Sequence, residues 1–366
     1  MALRRLSSLR ASAEQSVAVA MSGGVDSTVA AYLMLSRGFN VTGVFMENWD
    51  EREESGQCTA EDDYAKVKAI CKHLGIASKR IRLVKDYWNE VFETFLSQCE
   101  LGLTPNPDVL CNRHIKFGSF LTELKNAGYS RLATGHYARL DRTTTSMPKL
   151  LAARDQTKDQ SYFLATVPTS AFANVDFPLG MMFKSDVKDL ARRIGLEWVA
   201  RQRESMGLCF VGRRKFSNFI SNYLDEKPGH VVDESGRILA QHSGLFYYTI
   251  GQRARIAGLK SAHYVVDKKL EENHLVVAPG RNHPTLHRDV FTVGPVYWQS
   301  VEGLRVSDCE VRVRHGAPLV QCSVKEIGNG QFLVSTLEPV WAVTPGQFAV
   351  FYSGNTCLGG GVIQSS

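Results

Sequence analysis

Residues 22–27, Ser-Gly-Gly-Val-Asp-Ser, carry the strongest chemical signal in this chain of 366 residues. Two consecutive glycines let the backbone turn tightly and aim its N–H groups at an anion. The serine hydroxyls can donate hydrogen bonds to phosphate oxygens, and Asp26 can hold Mg²⁺ through oxygen. The spacing of a Walker A loop, G-x-x-x-x-G-K-[ST], is absent. The residues predicted to bind phosphate at this turn are Ala20, Met21, Ser22, Gly23, Gly24, Val25, Asp26 and Ser27.

Two of the eight cysteines lie in loops that suit reactive thiols. Cys111 follows Asp108 by three residues in a loop stiffened by Pro105 and Pro107. Cys209 lies in a loop with nearby glycines, and the arginines that flank it favour the thiolate. The sequence contains no C-x-x-C pair, so a zinc ribbon is not predicted. The chain is large enough to fold without disulfides. The cysteines expected to be inert core residues are Cys58, Cys71, Cys99, Cys309, Cys322 and Cys357.

The elements that must position these residues alternate between short apolar runs and helical patterns. The predicted strands are 16–21, 41–45, 81–84 and 132–134, and the predicted helices are 25–37, 59–74, 87–100 and 115–124. This alternation predicts an α/β domain with a doubly wound parallel sheet, whose ligand lies at the carboxyl ends of the strands.

After about residue 210 the helical periodicity fades and short strand-like runs follow one another. Regular short strands with Gly and Pro between them indicate barrels or sandwiches. We predict a catalytic domain at 16–210, a small, mostly β central domain at 211–283 and a C-terminal β-barrel at 284–366. The predicted strands are 230–233, 246–250, 264–267, 274–278, 290–293, 309–313, 319–324, 332–335 and 347–352.

Composition and charge limit the classes of protein. Hydrophobic residues make up 44% and charged residues 22%, as in globular domains, and no apolar run reaches the ~18 residues that span a bilayer. The net charge is +6, and residues 192–215 hold seven basic groups against two acidic ones. A polyanion could use that excess, although a solvated basic face has the same composition.

The first thirteen residues contain three arginines, several Ser and Ala residues and no acidic residue. This composition is typical of a mitochondrial transit peptide, so we predict a transit segment at 1–15. A basic N-terminus of a cytosolic protein is the alternative.

The pattern SGGxDS resembles the signature of the PP-loop ATP pyrophosphatases, which have an adenine nucleotide hydrolase-like fold and form AMP and pyrophosphate. Together with the two cysteine loops, it resembles the tRNA-specific 2-thiouridylase family of the MnmA type, and most of all its mitochondrial members. The similarity runs through GVFMENW at 43–49, NPD at 106–108, GHYA at 135–138, KDQSYFL at 158–164, TIGQR at 249–253 and PGQFAVF at 345–351.

The resemblance implies ATP-dependent 2-thiolation of the wobble uridine (position 34) of tRNA. ATP and Mg²⁺ would bind at the glycine turn, with Met46 and Gly135 near the adenosine. The oxygen on carbon 2 would be adenylated, and sulfur would come from a persulfide on Cys209. Cys111 would resolve that persulfide and leave a Cys111–Cys209 disulfide, with Asp108 as general acid or base.

The resemblance also implies partners and an RNA surface. The expected partners are the anticodon loop of tRNA and a persulfide donor or relay protein linked to a cysteine desulfurase. We expect a monomer in the mitochondrial matrix, not bound to a membrane. The implied tRNA-contact residues are Asn106, Pro107, Asp108, His136, Lys158, Asp159, Gln160, Arg314, His315 and Gln347.

Two other readings of the sequence remain. One is an amidating PP-loop synthetase, which uses ammonia and needs no thiol. The other is a non-catalytic RNA-binding protein with a vestigial ATP site. Cys111 and Cys209 speak against the first, and the intact set of Asp26, Asp108 and both thiols speaks against the second.

Overall fold

The structure is a computed structural model, and it describes residues 16–50, 59–143, 147–203, 208–212, 214–299 and 309–365. The predicted transit segment 1–15 and Cys58 therefore lie outside the described residues. The chain divides into two compact units, Met1–Trp88 with Cys111–Met206, and Asn89–Leu110 with Gly207–Ser366. We call them the first and the second unit.

The helices of the described residues are mostly short. The α-helices are α1 (Val25–Ser36), α2 (Thr59–Leu74), α3 (Val84–Tyr87), α4 (Glu93–Glu100), α5 (Pro107–Leu110), α6 (Phe120–Asn126), α7 (Ser161–Leu164), α8 (Lys184–Arg193), α9 (Glu197–Ala200) and α10 (Phe216–Ile220). Wider π-helical turns form Trp88–Phe92 and Cys111–Ser119, and 3₁₀ turns form Thr169–Asn174, Leu245–Tyr247 and Pro284–Leu286.

The strands of the described residues belong to both units. They are β1 (Ser16–Met21), β2 (Asn40–Glu47), β3 (Ala77–Arg82), β4 (Arg131–Ala133), β5 (Ala138–Asp141), β6 (Lys149–Ala152), β7 (Val175–Asp176), β8 (Gly229–Val232), β9 (Ile238–His242), β10 (Arg253–Ala254), β11 (His263–Lys269), β12 (His274–Pro279), β13 (His287–Trp298), β14 (Cys309–Arg312), β15 (Val320–Gly328), β16 (Gln331–Trp341), β17 (Phe348–Ser353) and β18 (Thr356–Ser365).

The first unit is built on a parallel sheet in the order β3-β2-β1-β4-β7. Val17, Ala18 and Val19 of β1 are fully buried, as a strand covered on both faces requires. The strand order reverses at β1, so a crevice is expected where β1 and β4 end. The predicted doubly wound α/β fold is confirmed.

The predicted strand at 81–84 is wrong, because the strand is Ala77–Arg82. This strand lies at the edge of the sheet and carries Lys79, Arg80 and Arg82, so it lacks the apolar run expected of a central strand. Its Arg80 donates to the buried Glu47 on β2 at 2.8 Å.

The second unit contains a sheet in the order β10-β11-β12-β8-β9 and a six-stranded barrel in the order β13-β16-β15-β14-β17-β18. The barrel closes because β13 also pairs with β18. Its core contains Phe291, Val334 and Phe351, which are at most 2% exposed. The predicted central β domain and C-terminal barrel are confirmed, but 246–250 is not a strand, because Leu245–Tyr247 forms a 3₁₀ turn.

The search for membrane-crossing helices covered the described residues and found none of sufficient length and apolarity.

Candidate functional site

The glycine turn after β1 leads directly into α1. Gly23 has a φ of +80°, which favours glycine. Gly24 is the N-cap of α1, and its carbonyl accepts from the Ser27 hydroxyl at 3.1 Å. The same hydroxyl accepts from the N–H of Ser22 at 3.2 Å. The first N–H groups of α1 have no partner inside the helix, so this end of α1 is suited to bind phosphate.

The loop after β4 approaches this turn closely at Gly135. A Cβ atom at Gly135 would lie 2.8 Å from the backbone carbon of Asp26 and 2.8 Å from the nitrogen of Ser27. Only glycine fits there without displacing the turn. The structure therefore brings Gly135 together with residues 22–27, at the point where the strand order reverses.

A lysine that the sequence analysis missed binds Asp26. Lys184, the first residue of α8, donates to both carboxylate oxygens of Asp26, at 2.7 and 2.8 Å. The hydroxyl of Tyr137 donates to the same carboxylate at 2.8 Å. The Lys184 side chain is only 11% exposed, against 34% for Asp26. The turn therefore has a nearby cation even though residues 22–27 contain none.

Cys111 begins the π-helical segment Cys111–Ser119 and is 5% exposed. The Nδ2 atom of Asn48 lies 3.9 Å from its Sγ atom, in the range of an N–H to sulfur hydrogen bond. The amide oxygens of Asn48 and Asn112 are buried, and the described residues offer neither of them a hydrogen-bond partner. Unsatisfied acceptors beside a buried thiol could accept N–H groups of a bound substrate.

Asn106, Pro107 and Asp108 belong to the second unit and form the start of α5. Asn106 caps this helix, because its Oδ1 accepts from the N–H of Val109 at 3.4 Å, and Pro107 occupies the first helical position. Asp108 follows in the first turn and is half-buried. The sequence Asn-Pro-Asp therefore fixes the backbone of the helical turn that carries Asp108.

Gln347 supports the same loop from the barrel. Its Nε2 donates to the carbonyls of Thr104 at 2.8 Å and Pro105 at 3.4 Å, and its Oε1 accepts from Asn106 at 3.3 Å. The implied RNA contacts of Asn106 and Gln347 stay predictions. In this structure Gln347 holds residues 104–106, the loop that leads into the helix of Asp108, and Asn106 caps that helix.

Gly346 allows this close approach. Its φ is +91°, and a Cβ atom there would lie 2.8 Å from the nitrogen of Thr104, whose N–H donates to Pro345. We expect Gly346→Ala to lower the free energy of unfolding by about 1–3 kcal/mol and to speed hydrogen exchange at the Thr104 amide. Gly328→Ala is the matched control, because Gly328 has a φ of +104° and open space around it. Equal exchange at Thr104 in both variants would show that the contact is unimportant.

Cys209 lies on a short turn, and the buried side chain of the next residue, Phe210, holds this turn in place. Phe210 is fully buried, and its ring lies 5.2 Å from Phe92 and 5.1 Å from Phe95 between centroids. Cys209 itself is exposed, whereas the other free cysteines of the described residues are buried. A protein donor could therefore reach its thiol. Residues 204–207 and Arg213, which include part of the predicted basic and glycine-flanked loop, lie outside the described residues.

His136 lies in an aromatic environment. Its ring is 5.8 Å from Phe117 and 5.8 Å from Phe177, and Nδ1 is 2.7 Å from the hydroxyl of Thr134. Burial, and then the charge of Lys116, lower the pKa of His136 well below its ordinary value. His136 is therefore a neutral side chain at pH 7, which could hydrogen-bond or stack but would not attract phosphate by charge.

The segment Lys158-Asp159-Gln160 braces the loop that carries His136. Gln160 accepts from the N–H of Tyr137 at 3.0 Å. Asp159 is 2% exposed, and its carboxylate accepts from the N–H of Ala153 at 2.9 Å and the hydroxyl of Ser161 at 2.8 Å. These bonds are internal to the protein, and the implied tRNA contacts of this segment stay predictions.

Arg314 lies in the second unit on an aromatic platform. Its guanidinium is 4.4 Å from the ring centroid of Trp341, and Arg281 lies 5.1 Å from the same ring. The Nη2 atom of Arg314 also donates to the carbonyl of Trp341 at 2.8 Å. His315, the next residue, is exposed. Two fixed guanidinium groups next to an exposed histidine form a surface that suits an RNA backbone.

Comparisons with known proteins cover the chain from end to end. A family model described as the tRNA methyl transferase HUP domain matches residues 15–213, one described as the tRNA methyl transferase PRC-barrel domain matches 217–279, and one described as the aminomethyltransferase beta-barrel domain matches 288–363. The mitochondrial tRNA-specific 2-thiouridylase 1 of Drosophila melanogaster is 41% identical over 96% of this chain and 94% of its own length. The tRNA-specific 2-thiouridylase MnmA of Idiomarina loihiensis is 42% identical over 96% of each chain. The chain belongs to the tRNA-specific 2-thiouridylase family.

The human mitochondrial tRNA-specific 2-thiouridylase 1 is a further relative of this chain. The two are 41% identical over 95% of this chain and 90% of the human protein. Two of the domain descriptions contain the words methyl transferase, and the relatives are named 2-thiouridylases. The relatives decide the family, because their similarity covers nearly the whole of both chains.

The residues of the glycine turn fit ATP. Backbone N–H groups at the start of α1 and the ammonium of Lys184 can bind phosphate oxygens, and Gly135 leaves room beside the turn. No group of three or more metal-ligating side chains was found among the described residues. Mg²⁺ commonly binds through one or two carboxylates together with substrate phosphates, and Asp26 could supply such a carboxylate.

Proposed function

We propose that this chain catalyses the ATP-dependent 2-thiolation of the wobble uridine (position 34) of tRNA, with sulfur drawn from a cysteine persulfide. The observation that carries the proposal is that the chain belongs to the 2-thiouridylase family over nearly its whole length. The glycine turn and the two cysteine loops expected of such an enzyme are both present in it.

The first step is adenylation. ATP binds with its phosphates at residues 22–27 and its adenosine near Met46 and Gly135. The oxygen on carbon 2 of the uridine attacks the α-phosphorus, and pyrophosphate leaves. Asp108 acts as general base for the proton on N3, which becomes acidic as that oxygen forms its bond. Mg²⁺ held by Asp26 would neutralise phosphate charge during this displacement.

The second step transfers sulfur. The terminal sulfur of the Cys209 persulfide attacks carbon 2 and forms a carbon–sulfur bond. The thiolate of Cys111 attacks Sγ of Cys209, so the sulfur–sulfur bond breaks and its electron pair stays on the transferred sulfur. AMP then leaves and takes the original oxygen with it. AMP is a far better leaving group than hydroxide would be. Asp108 then returns its proton to N3. The products are 2-thiouridine, AMP and a Cys111–Cys209 disulfide, which a thiol reductant must reduce before the next cycle.

The partners follow from this chemistry. Unpaired bases of an anticodon loop can leave the stack and enter a pocket at lower cost than paired bases, which must first break their base pair. The donor is a persulfide relay protein linked to a cysteine desulfurase, which the exposure of Cys209 would allow to dock. We propose that the chain acts as a monomer.

Mass spectrometry of nucleosides from tRNA of cells that lack this protein tests the function. Loss of 2-thiouridine with all other nucleosides unchanged is the expected result. An unchanged nucleoside profile would contradict the proposal and favour the amidating synthetase or the non-catalytic RNA-binding protein.

We also propose that the protein resides in the mitochondrial matrix. Relatives from fly, chicken and human carry the word mitochondrial in their names, and residues 1–15 have the composition of a transit segment. A fluorescent fusion of the full chain should enter mitochondria, and a version without residues 2–13 should stay in the cytoplasm. Cytoplasmic fluorescence of both fusions would contradict the proposal and favour the cytoplasmic alternative.

A further inference from the structure

A cavity of about 860 Å³ lies within the second unit. Its size is within the range of pockets that hold small ligands, ~300–1,000 Å³. Part of its wall is aromatic and comes from Phe216, Phe246 and Tyr247.

The position of the cavity connects it with the proposed reaction. Leu208 lines it, and the next residue is Cys209. Thr104 and Pro105 line it as well, and they lead directly into the loop that carries Asp108. Two segments that would carry sulfur and protons in the proposed mechanism therefore border one cavity.

The aromatic wall offers surfaces for stacking. The rings of Phe246 and Tyr247 lie 4.4 Å apart between centroids and are tilted by 47°. Gly244 lies close to Phe246, since a Cβ atom there would lie 2.6 Å from Cε1 of that ring. Phe246 is 8% exposed, whereas Tyr247 is half-buried, so Tyr247 is the ring of this pair that is more accessible to a ligand. Aromatic faces of this kind stack unpaired bases of single-stranded RNA, with ~1–3 kcal/mol per base.

The polar part of the wall offers groups for the edge of a base. The Oε1 atom of Gln252 accepts from the N–H of Thr249 at 3.0 Å, and Gln252 is an exposed residue that lines the cavity, so its amide N–H groups can serve as donors. Glu226 also lines the cavity, and burial and then the charge of Glu226 raise the pKa of Tyr247. The side chains thus include donors and acceptors, as the Watson–Crick edge of a base requires.

The charge of the wall excludes one class of ligand. Among the described residues that line the cavity there is no Lys or Arg, and Glu226 is acidic. The lining residues therefore offer a phosphate group no cation to pair with, whereas an uncharged base needs none. The chemistry of the wall suits the base of a nucleotide whose phosphates lie outside the cavity.

We propose that this cavity is a subsite for an unpaired base of the substrate RNA, a neighbour of the reacting uridine along the strand. The base stacks on Tyr247, whose ring the buried Phe246 supports, and Gln252 donates to its edge. The inference rests on the proposed function, because it takes the substrate to be an anticodon loop. It adds a second point of attachment, which holds the loop while carbon 2 is adenylated and thiolated.

The test uses anticodon stem–loop RNAs with the fluorescent base 2-aminopurine at one loop position at a time, outside the target uridine. Stacking on an aromatic side chain quenches this fluorophore, so binding of the wild-type protein should quench one position near the uridine most strongly. Tyr247→Ala should remove that quenching and weaken RNA binding about tenfold, in the range of one stacked base. Gln252→Ala, a change of an exposed side chain, should weaken binding with the quenching retained.

The matched control is Tyr297→Ala, which removes a partly exposed tyrosine of β13 that does not line the cavity. It should leave both the quenching and the affinity unchanged. Thiolation of full-length tRNA without quenching at any loop position would overturn the subsite and leave the proposed function in place. Normal RNA affinity in both cavity variants with weaker binding of the sulfur donor would overturn it too, and would assign the cavity to the donor. Absence of thiolation under all conditions would instead overturn the proposed function.

Discussion

Cys209→Ser is expected to abolish both persulfide loading and tRNA thiolation, whereas Cys111→Ser is expected to accept a persulfide and then stop. The reason is the difference between the two environments. Cys209 is exposed on a turn anchored by the buried Phe210, so a protein donor can reach it. Cys111 is 5% exposed and lies next to Asn48, so a protein donor cannot easily reach it. It therefore suits a resolving thiol, which reacts only with the persulfide that Cys209 delivers.

The measurement combines intact mass after persulfide-specific alkylation with an assay of 2-thiouridine. Thiolation should fall by at least about 1,000-fold in both variants, since each removes a covalent step. Cys71→Ala is the matched control, because Cys71 is also a buried thiol of the first unit and burial raises its pKa to about 11. This control should keep its activity per folded molecule.

Free sulfide tests whether the adenylation step survives the loss of either thiol. At high concentration it can attack the adenylated uridine without a cysteine, so it should partly restore thiolation in both variants. Persulfide found on Cys111 and never on Cys209 would reverse the assignment. Full activity in either variant without sulfide would exclude the two-cysteine mechanism.

The parts of the fold that the sequence predicted correctly are those that local pattern determines. The apolar run of β1, the Gly-Gly turn and the helix behind it follow from neighbours a few residues apart. The strand was therefore predicted with its bounds, and the helix, predicted at 25–37, ends one residue earlier at Ser36. The edge strand β3 was misplaced because Arg80 and Arg82 interrupt the apolar pattern by which a strand is predicted. Glu47, which pairs with both arginines, lies more than thirty residues earlier in the chain. The π-helical widening at Cys111–Ser119 has no sequence signature that we could use.

The candidate site was predicted in part for the same reason. Motif residues are visible in sequence, whereas the partners that hold them come from distant segments. Lys184 follows Asp26 by 158 residues, and no motif marks it. Gln347 reaches Thr104 across 243 residues. The motif PGQF was noticed for its resemblance, and only the structure indicates that Gly346 and Gln347 support the loop of Asp108.

The ion pair of Asp26 and Lys184 gives the second large expected effect. Lys184→Met should lower the formation of AMP and pyrophosphate by roughly 100–1,000-fold, in the range for loss of one fixed electrostatic contact in a displacement. Lys184 now binds both oxygens of Asp26. When phosphates bind at the turn, we expect the ammonium to move to them and to free the carboxylate for Mg²⁺. Asp26→Ala should abolish the same reaction.

The stability of the two variants should differ, and that difference separates binding from folding. Asp26→Ala leaves the ammonium of Lys184, only 11% exposed, without its carboxylate, so the free energy of unfolding should fall by about 3 kcal/mol. Lys184→Met leaves a carboxylate that is 34% exposed and that water can solvate, so the loss should be smaller. The double variant should regain stability relative to Asp26→Ala and remain inactive, which urea unfolding and a pyrophosphate assay measure together. Lys188→Met, one turn further along α8, is the matched control. Wild-type pyrophosphate release by Lys184→Met would show that this lysine does not act on the phosphates, and wild-type release by Asp26→Ala would contradict the assignment of the glycine turn as the ATP site.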